Sequence, residues 1–464
     1  MLKISDRLSP TSEMLALTTS GDTKNILICL IELRGPLNVN QALEAAQRAA
    51  AKFPQLTRRI KEVKSRWLHY LVWDGDSKLK VPTFFQEIEH FEADKPMLDQ
   101  LIPVIQSRLE RNWDLFQEPP AEFHLIRISP ERHIAGWLMH HVAGDAATGT
   151  DVGQETLVQY FEIHNRQKSE WAGEYYSFSG SKKRRVTPKK LRMRNYLEDV
   201  KQTFENLFKK AYLPVGSGPK RDQSQHHVKR ILTEEETDLL YATTTNHGVS
   251  FVDRLVVSAN DVIDEWNLKR GVSPGLLTTS MTVNMRGRFS DVDLMNSSSL
   301  IFFKSSPADR TNTRSFARKV ALTRIKHFRN QTDLKLSKNI EMMIDAFRIF
   351  PFQIRKRIVS FFINRHQFSI GITVLGTVWP EIHNGKPTTN SAFTRIGDLE
   401  AVEIFGVAHK MLSETRALLL LYTFRKRLNL VLTCSGRLFT REECDEFMDM
   451  IISKLTASQM FPVH

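Results

Sequence analysis

Apolar positions along the chain fall into two rhythms. Runs of strand length recur in the first half as NILICLIELRG (25–35), RWLHYLVWDG (66–75), AEFHLIRIS (121–129) and IAGWLMH (134–140). They recur in the second half as LLTTSMTV (276–283), LIFFKSS (300–306), SIGITVLG (369–376) and LNLVLTCSG (428–436). Short apolar runs bounded by turn residues predict buried strands. In AEFHLIRIS both faces are mostly apolar, with Phe123 and Leu125 on one and Ile126 and Ile128 on the other, so a strand covered on both sides is expected. Helical spacing fills the intervals. NVNQALEAAQRAAAKFPQL follows the first strand with an Asn to cap it and Pro54 to stop it, and QETLVQYFEIHN covers 154–165. TEEE at 233–236 and TREE at 440–443 have the capping-box form, and predict two further helices, the second ending near Leu455. Strands and helices alternate in both halves, with no short repeat, so the expected class is α/β and not a solenoid.

The alternation breaks at 172–194, where Gly, Ser and aromatics give way to KKRRVTPKKLRMR (182–194), eight basic residues and no acid. That run accounts for most of the net charge of +13, so the charge describes one segment and not the whole surface. The expected division is an N-terminal lobe over 1–180, a basic linker and helix over 181–225, and a C-terminal lobe over 226–464. A chain of 464 residues has ample material for two such cores. The basic run reads as a solvated linker, a contact for an anionic membrane, or a contact for an acidic carrier protein. It lacks the interleaved aromatics that stack on bases, which argues against nucleic acid. FQIRKRIVSFFINRH (352–366) puts Ile354, Ile358, Phe361 and Phe362 on one helical face, with core packing as its default and a membrane interface as the alternative. YLEDVKQTFENLFKKAYL (196–213) has the same character. No stretch reaches the ~18 apolar residues of a membrane span, and the start lacks a secretory h-region. Cys29, Cys434 and Cys444 are odd in number and form no CxxC pair. Neither a disulfide framework nor a cysteine zinc site is expected, and a cytoplasmic location, peripheral at a membrane if lipid is handled, fits best.

One stretch carries chemistry. In LMHHVAGDAATG (138–149), His140 and His141 end a strand, GDAATGTD reads as a polar loop, and Asp145 stands four residues after the second histidine. A neutral imidazole held at the lip of a cavity can take a proton from a hydroxyl or amine and return it. An aspartate at that spacing can fix the turn by pairing with an arginine elsewhere. Packing is the competing reading for each histidine. Adjacent histidines chelate one zinc ion poorly and no third ligand stands nearby. No GxSxG elbow and no glycine-rich phosphate loop occurs, so a serine triad and a nucleotide-dependent kinase or dehydrogenase are disfavoured. A second pair, His226 and His227 in QHHVKRIL, has no such aspartate and reads as structural.

The stretch resembles the HHxxxDG motif of the chloramphenicol acetyltransferase-like superfamily. That group includes peptide-synthetase condensation domains, BAHD acyltransferases, and wax ester synthase/diacylglycerol acyltransferases. LSPTSEM (8–14), NWDLFQEPPAEFHLIRI (112–128), TVNMRGRF (282–289) with Asn296, ITVLGTV (372–378) and LVLTCSGRLFTREECDEF (430–447) are similar to further segments of the superfamily, in the same order. Three departures stand out. The motif ends in Asp145–Ala146, Thr373–Val374 replaces Ser–Asn, and the DFGWG signature of BAHD enzymes is missing.

The resemblance implies two chloramphenicol acetyltransferase-like lobes, each a mixed sheet with helices, and a tunnel between them. It implies transfer of an acyl group from a CoA or acyl-carrier thioester to a hydroxyl or amine, with the thioester as co-substrate and no bound metal or other cofactor. His141 takes the general-base role, His140 supports the turn from outside the tunnel, and Asp145 pairs with Arg286, or in second place Arg288. Asn284, Thr373 and Gly376 fall to substrate contact. The implied partners are the acyl donor, a small-molecule or lipid acceptor, and an acidic acyl carrier protein. A stand-alone condensation enzyme that forms an amide, and a catalytically silent scaffold motivated by Asp145–Ala146, stay open beside the transferase.

Overall fold

The computed structural model describes residues 7–19, 21–76, 78–166, 211–245, 249–285, 296, 298–363, 368–379, 395–411 and 417–457. The basic run 182–194, most of the 196–213 segment, Arg286 and Arg288 lie outside the described residues. The strands are β1 (Ile26–Arg34), β2 (Ile60–Ser65), β3 (Leu68–Trp73), β4 (Thr83–Glu87), β5 (Ala121–Ser129), β6 (Arg132–His140) and β7 (Gln225–Ile231). They continue as β8 (Leu277–Asn284), β9 (Ser298–Ser305), β10 (Ile370–Thr377), β11 (Arg395–Ile396), β12 (Leu399–His409), β13 (Ala417–Phe424) and β14 (Arg427–Ser435). The helices are α1 (Pro10–Thr18), α2 (Val39–Ala51), α3 (Met97–Glu110), α4 (Ala146–Asn165), α5 (Glu234–Thr245) and α6 (Phe251–Lys269). After the single turn α7 (Pro307–Arg310) come α8 (Thr313–Arg329), α9 (Thr332–Phe347), α10 (Phe352–Ile363) and α11 (Arg441–Thr456).

Two six-stranded mixed sheets carry the fold, in the orders β11-β12-β1-β6-β5-β4 and β7-β14-β13-β10-β8-β9, with β2 and β3 as a separate hairpin. Every strand expected from the apolar runs is present, and the capping boxes at Thr233 and Thr440 both form. β12 belongs by sequence to the second half and by hydrogen bonding to the first sheet, where it runs antiparallel to β1 with Cys29 opposite Gly406. The boundary at 225/226 therefore does not divide the sheets. β1 is buried on both faces and needs a neighbour along each edge, but the edge partner can come from anywhere in the chain. β13 shows how the halves meet. Leu419 and Leu421 enter the core of the second sheet, while Leu420 and Tyr422 enter that of the first, because successive side chains leave a strand on opposite faces.

The helices from the second half close over the first. α1 packs against α9 and α10, and the buried carboxylate of Glu13 accepts from Arg348 at 2.7 Å and from Arg355. This corrects the stripe read along 352–366. Phe352, Arg355 and Val359 face inward, whereas Ile354, Arg357 and Phe361 are exposed. A fully buried carboxylate draws the Arg355 guanidinium into the core, which apolar spacing alone does not reveal. Among the described residues no helix is long and apolar enough to cross a membrane.

Candidate active site

The histidine strand is held from three sides. β6 pairs with β1 over its whole length, with Ile26 opposite His140. The His140 N–H donates to the Pro120 carbonyl at 2.9 Å, and Trp113 meets the ring edge-on at 6.4 Å between centroids. The His140 ring is fully buried. Its Nδ1 accepts from the Val142 N–H at 3.1 Å, so Nε2 carries the proton and donates to Thr19 Oγ1 at 2.9 Å. Burial, with lesser repulsion from His141 and Lys356, pushes the His140 ring down to a pKa of about 3, so it stays neutral. The Thr19 hydroxyl in turn donates to the Leu15 carbonyl in the last turn of α1.

The same network holds the backbone of His141. Asn25 sits at φ +52°, a left-handed conformation that asparagine tolerates. Its amide donates to Leu15, Thr18 and Thr19, and its carbonyl accepts the His141 N–H at 2.7 Å. The Asn296 amide, from the second half, donates to the His141 carbonyl at 2.8 Å and to Ser12 Oγ at 3.3 Å. Both peptide groups of His141 are thus fixed, one from each lobe. The ring is half-buried and lines a cavity, with its Nδ1 buried. Burial lowers its pKa from the ordinary imidazole value. Asp145 and the backbone of His141 and Gly144 work the other way. The free base is therefore the resting form at neutral pH.

Asp145 has a second task. It is the N-cap of α4, accepting from the Thr148 N–H at 3.2 Å while Thr148 Oγ1 closes a capping box. The helix begins at Ala146, so the expected loop GDAATGTD is mostly its first two turns. Glycine and threonine lower helix propensity. Here they permit close packing: a Cβ on Gly149 would sit 3.2 Å from Met139 and 3.4 Å from Cys29.

The cavity lies between the two sheets, has a volume of about 240 Å³, and includes His141, Asp145 and Ala146 in its wall. Asn284 and Thr373 also line it, and Thr373 Oγ1 lies 3.0 Å from Thr282 Oγ1 across the parallel pair β8–β10. Gly376 does not line it. It takes φ +79° beside an irregularity in the β10–β13 register, so its place is in a bend of the strand. Sequence reasoning missed Cys29, Leu336, Ile340, Ile404, Gly406, Val407 and Ala408, which the cavity also includes. The dyad rhythm of β1 could have marked Leu27 and Cys29 as one face, but nothing in the sequence says that this face opens into a void. The second histidine pair is far from this chemistry, on β7. There the buried His227 meets Thr433 at 3.0 Å and His409 at 3.4 Å. No group of histidine, cysteine and carboxylate side chains suited to a metal ion occurs among the described residues.

No family model matches the chain, and no curated protein matches it by sequence. Solved structures match over its full length. The first condensation domain of the calcium-dependent antibiotic synthetase, solved with a substrate analogue, superposes at TM-score 0.64 with 14% identity, covering 100% of this chain and 98% of that one. The trichothecene 15-O-acetyltransferase of Fusarium sporotrichioides superposes at 0.61 with 10% identity, covering 97% and 95%. The epimerization domain from the third module of tyrocidine synthetase B superposes at 0.59 with 11% identity, covering 97% of this chain and 95% of that one. The chain therefore has the two-lobed α/β fold of condensation domains and chloramphenicol acetyltransferase-like acyltransferases.

Proposed function

We propose that this protein transfers an acyl group from a CoA or carrier-protein thioester to a hydroxyl or amine, with His141 as general base. The observation that supports this most is the state of that ring: neutral, half-buried on the wall of an interlobe cavity, and fixed through its backbone from both lobes. The acceptor proton passes to the imidazole as the acceptor oxygen or nitrogen bonds to the thioester carbonyl carbon. The C–S bond then breaks, and the leaving thiolate takes the proton back from the ring. Positioned proton transfer of this kind contributes roughly 10²–10⁴-fold, and holding donor and acceptor in one cavity supplies a further share.

In this reading His140 holds the turn, Asp145 caps α4 and pairs with Arg286, and Asn284 and Thr373 meet the substrate. The donor brings its own handle, so CoA and an acidic carrier protein are compared directly. Thiol release is followed with acyl-CoA and acyl-carrier donors and with alcohol and amine acceptors, for the wild type and His141→Ala. Release that depends on both acceptor and His141 supports transfer. An amide as sole product selects the condensation reading. No release with any pair selects the silent scaffold.

A further inference from the structure

The cavity has two unlike walls. One is a row of hydroxyl and amide groups on β8, β9 and β10, from Ser280, Thr282, Asn284, Ser298 and Thr373. Leu300 of β9, opposite Thr282, interrupts that row, and the other wall is a bay of Met14, Leu15, Leu336, Ile340 and Phe368. The bay is a coherent structure. α9, which carries Leu336 and Ile340, packs on α1 and β9, and Phe368 stacks on Phe302 of β9 with centroids 5.5 Å apart. Among the described residues, no lysine or arginine lines the cavity, and Asp145 is its only carboxylate. A carboxylate or phosphate drawn into it would lose its hydration and meet no cation among the described residues.

We infer that the group transferred is an uncharged aliphatic acyl chain of about six to eight carbons, seated in the bay formed by α1, α9 and β9. This deepens the transfer reading and rests on it. The volume bounds the length: about 240 Å³ is on the order of eight times the ~30 Å³ share of a water molecule, which a methylene roughly matches, so eight carbons fill the whole cavity and six leave room for the acceptor's reacting group. The acceptor, which must present an O–H or N–H group, belongs beside the hydroxyl row, where its other polar groups find partners. The acyl chain is the part of the pair that gains from the apolar wall.

The test uses N-acetylcysteamine thioesters of acetyl, butyryl, hexanoyl, octanoyl and dodecanoyl groups. Binding is read by calorimetry on the His141→Ala protein and transfer on the wild type. Affinity is expected to rise by up to about fourfold per methylene as far as octanoyl, with no further gain at dodecanoyl. Ile340→Trp fills part of the bay, and is expected to weaken octanoyl binding at least about tenfold more than acetyl binding. Leu336→Ala, which enlarges it, shifts the preference toward dodecanoyl and stands in if the tryptophan variant does not fold. Equal binding of acetyl and octanoyl overturns the inference, as does a length dependence that follows alkanol acceptors instead of the acyl chain. Length-dependent binding with no transfer to any acceptor would retain the chain site and overturn the transfer reading. Transfer indifferent to chain length would do the reverse.

Discussion

At the scale of the residue, neighbouring imidazoles with nearly identical sequence surroundings have different fates. His140 is buried and hydrogen-bonded at both nitrogens, whereas His141 faces the cavity. Both have depressed pKa values, chiefly from burial. For a base this sets the sign of the pH profile: the acid limb of kcat/KM should lie below the ordinary imidazole value of about 6.5, with no further rise above neutrality. Asp145 raises the His141 pKa, so Asp145→Asn should move that limb to still lower pH. Rate profiles of the two proteins check both statements. For His140 the consequence is stability. Between its folded value of about 3 and the unfolded value near 6.5, the unfolded chain binds the extra proton. The contribution of this site therefore falls as the pH drops through that window, by an amount on the order of a few kcal/mol once below it. Denaturant titrations at pH 7 and pH 5 should show a smaller acid loss for His140→Gln than for the wild type. An equal loss would mean that His140 is not the group concerned.

At the scale of the element, the strands were legible and the start of α4 was not. Apolar runs such as NILICLIELRG and IAGWLMH announce buried strands because nearly every side chain in them is covered. GDAATGTD looks like a loop because its residues are poor helix formers. It becomes helix because Asp145 satisfies the first turn and its small residues let α4 lie close to β1. Asp145→Ala should therefore destabilise the protein by about 1 kcal/mol. Asp145→Asn, which keeps an accepting oxygen at the cap, should stay within a few tenths of the wild type in the same melts. Destabilisation of both to the same extent would show that the carboxylate charge, and not the cap, carries the stability. β12 escaped notice for another reason. In LEAVEIFGVAH the apolar positions are broken by Glu400 and Glu403, and those carboxylates reach Arg425 in the β13–β14 turn and Lys229 on β7. The charges that hide the strand from its apolar pattern tie it to its neighbours.

At the scale of the whole molecule, the site exists only where the two halves meet. Motif order placed the histidines, Asn284, Thr373 and Asn296 in one fold, and the backbone bond from Asn296 to His141 realises that order in space. The inward turn of Arg355 toward Glu13 was not legible, since it depends on a partner 342 positions away. That contact and its neighbour at Arg348 bind α1, which roofs the cavity, to helices of the second half. Glu13→Gln leaves Arg348 with Asp345 and Arg355 with Glu62 as their remaining carboxylates, and should cost roughly 1–3 kcal/mol. Equilibrium unfolding measures this, and a loss below 1 kcal/mol would show that the seam does not depend on the pair. The central claim concerns His141, and one comparison reaches it most directly: steady-state acyl transfer by the wild type and by His141→Ala, with their unfolding midpoints measured alongside. The account predicts a fall of roughly 10²–10⁴-fold in transfer at a nearly unchanged midpoint, because this ring is only half-buried and faces the cavity. Transfer by the variant within a few-fold of the wild type would contradict it.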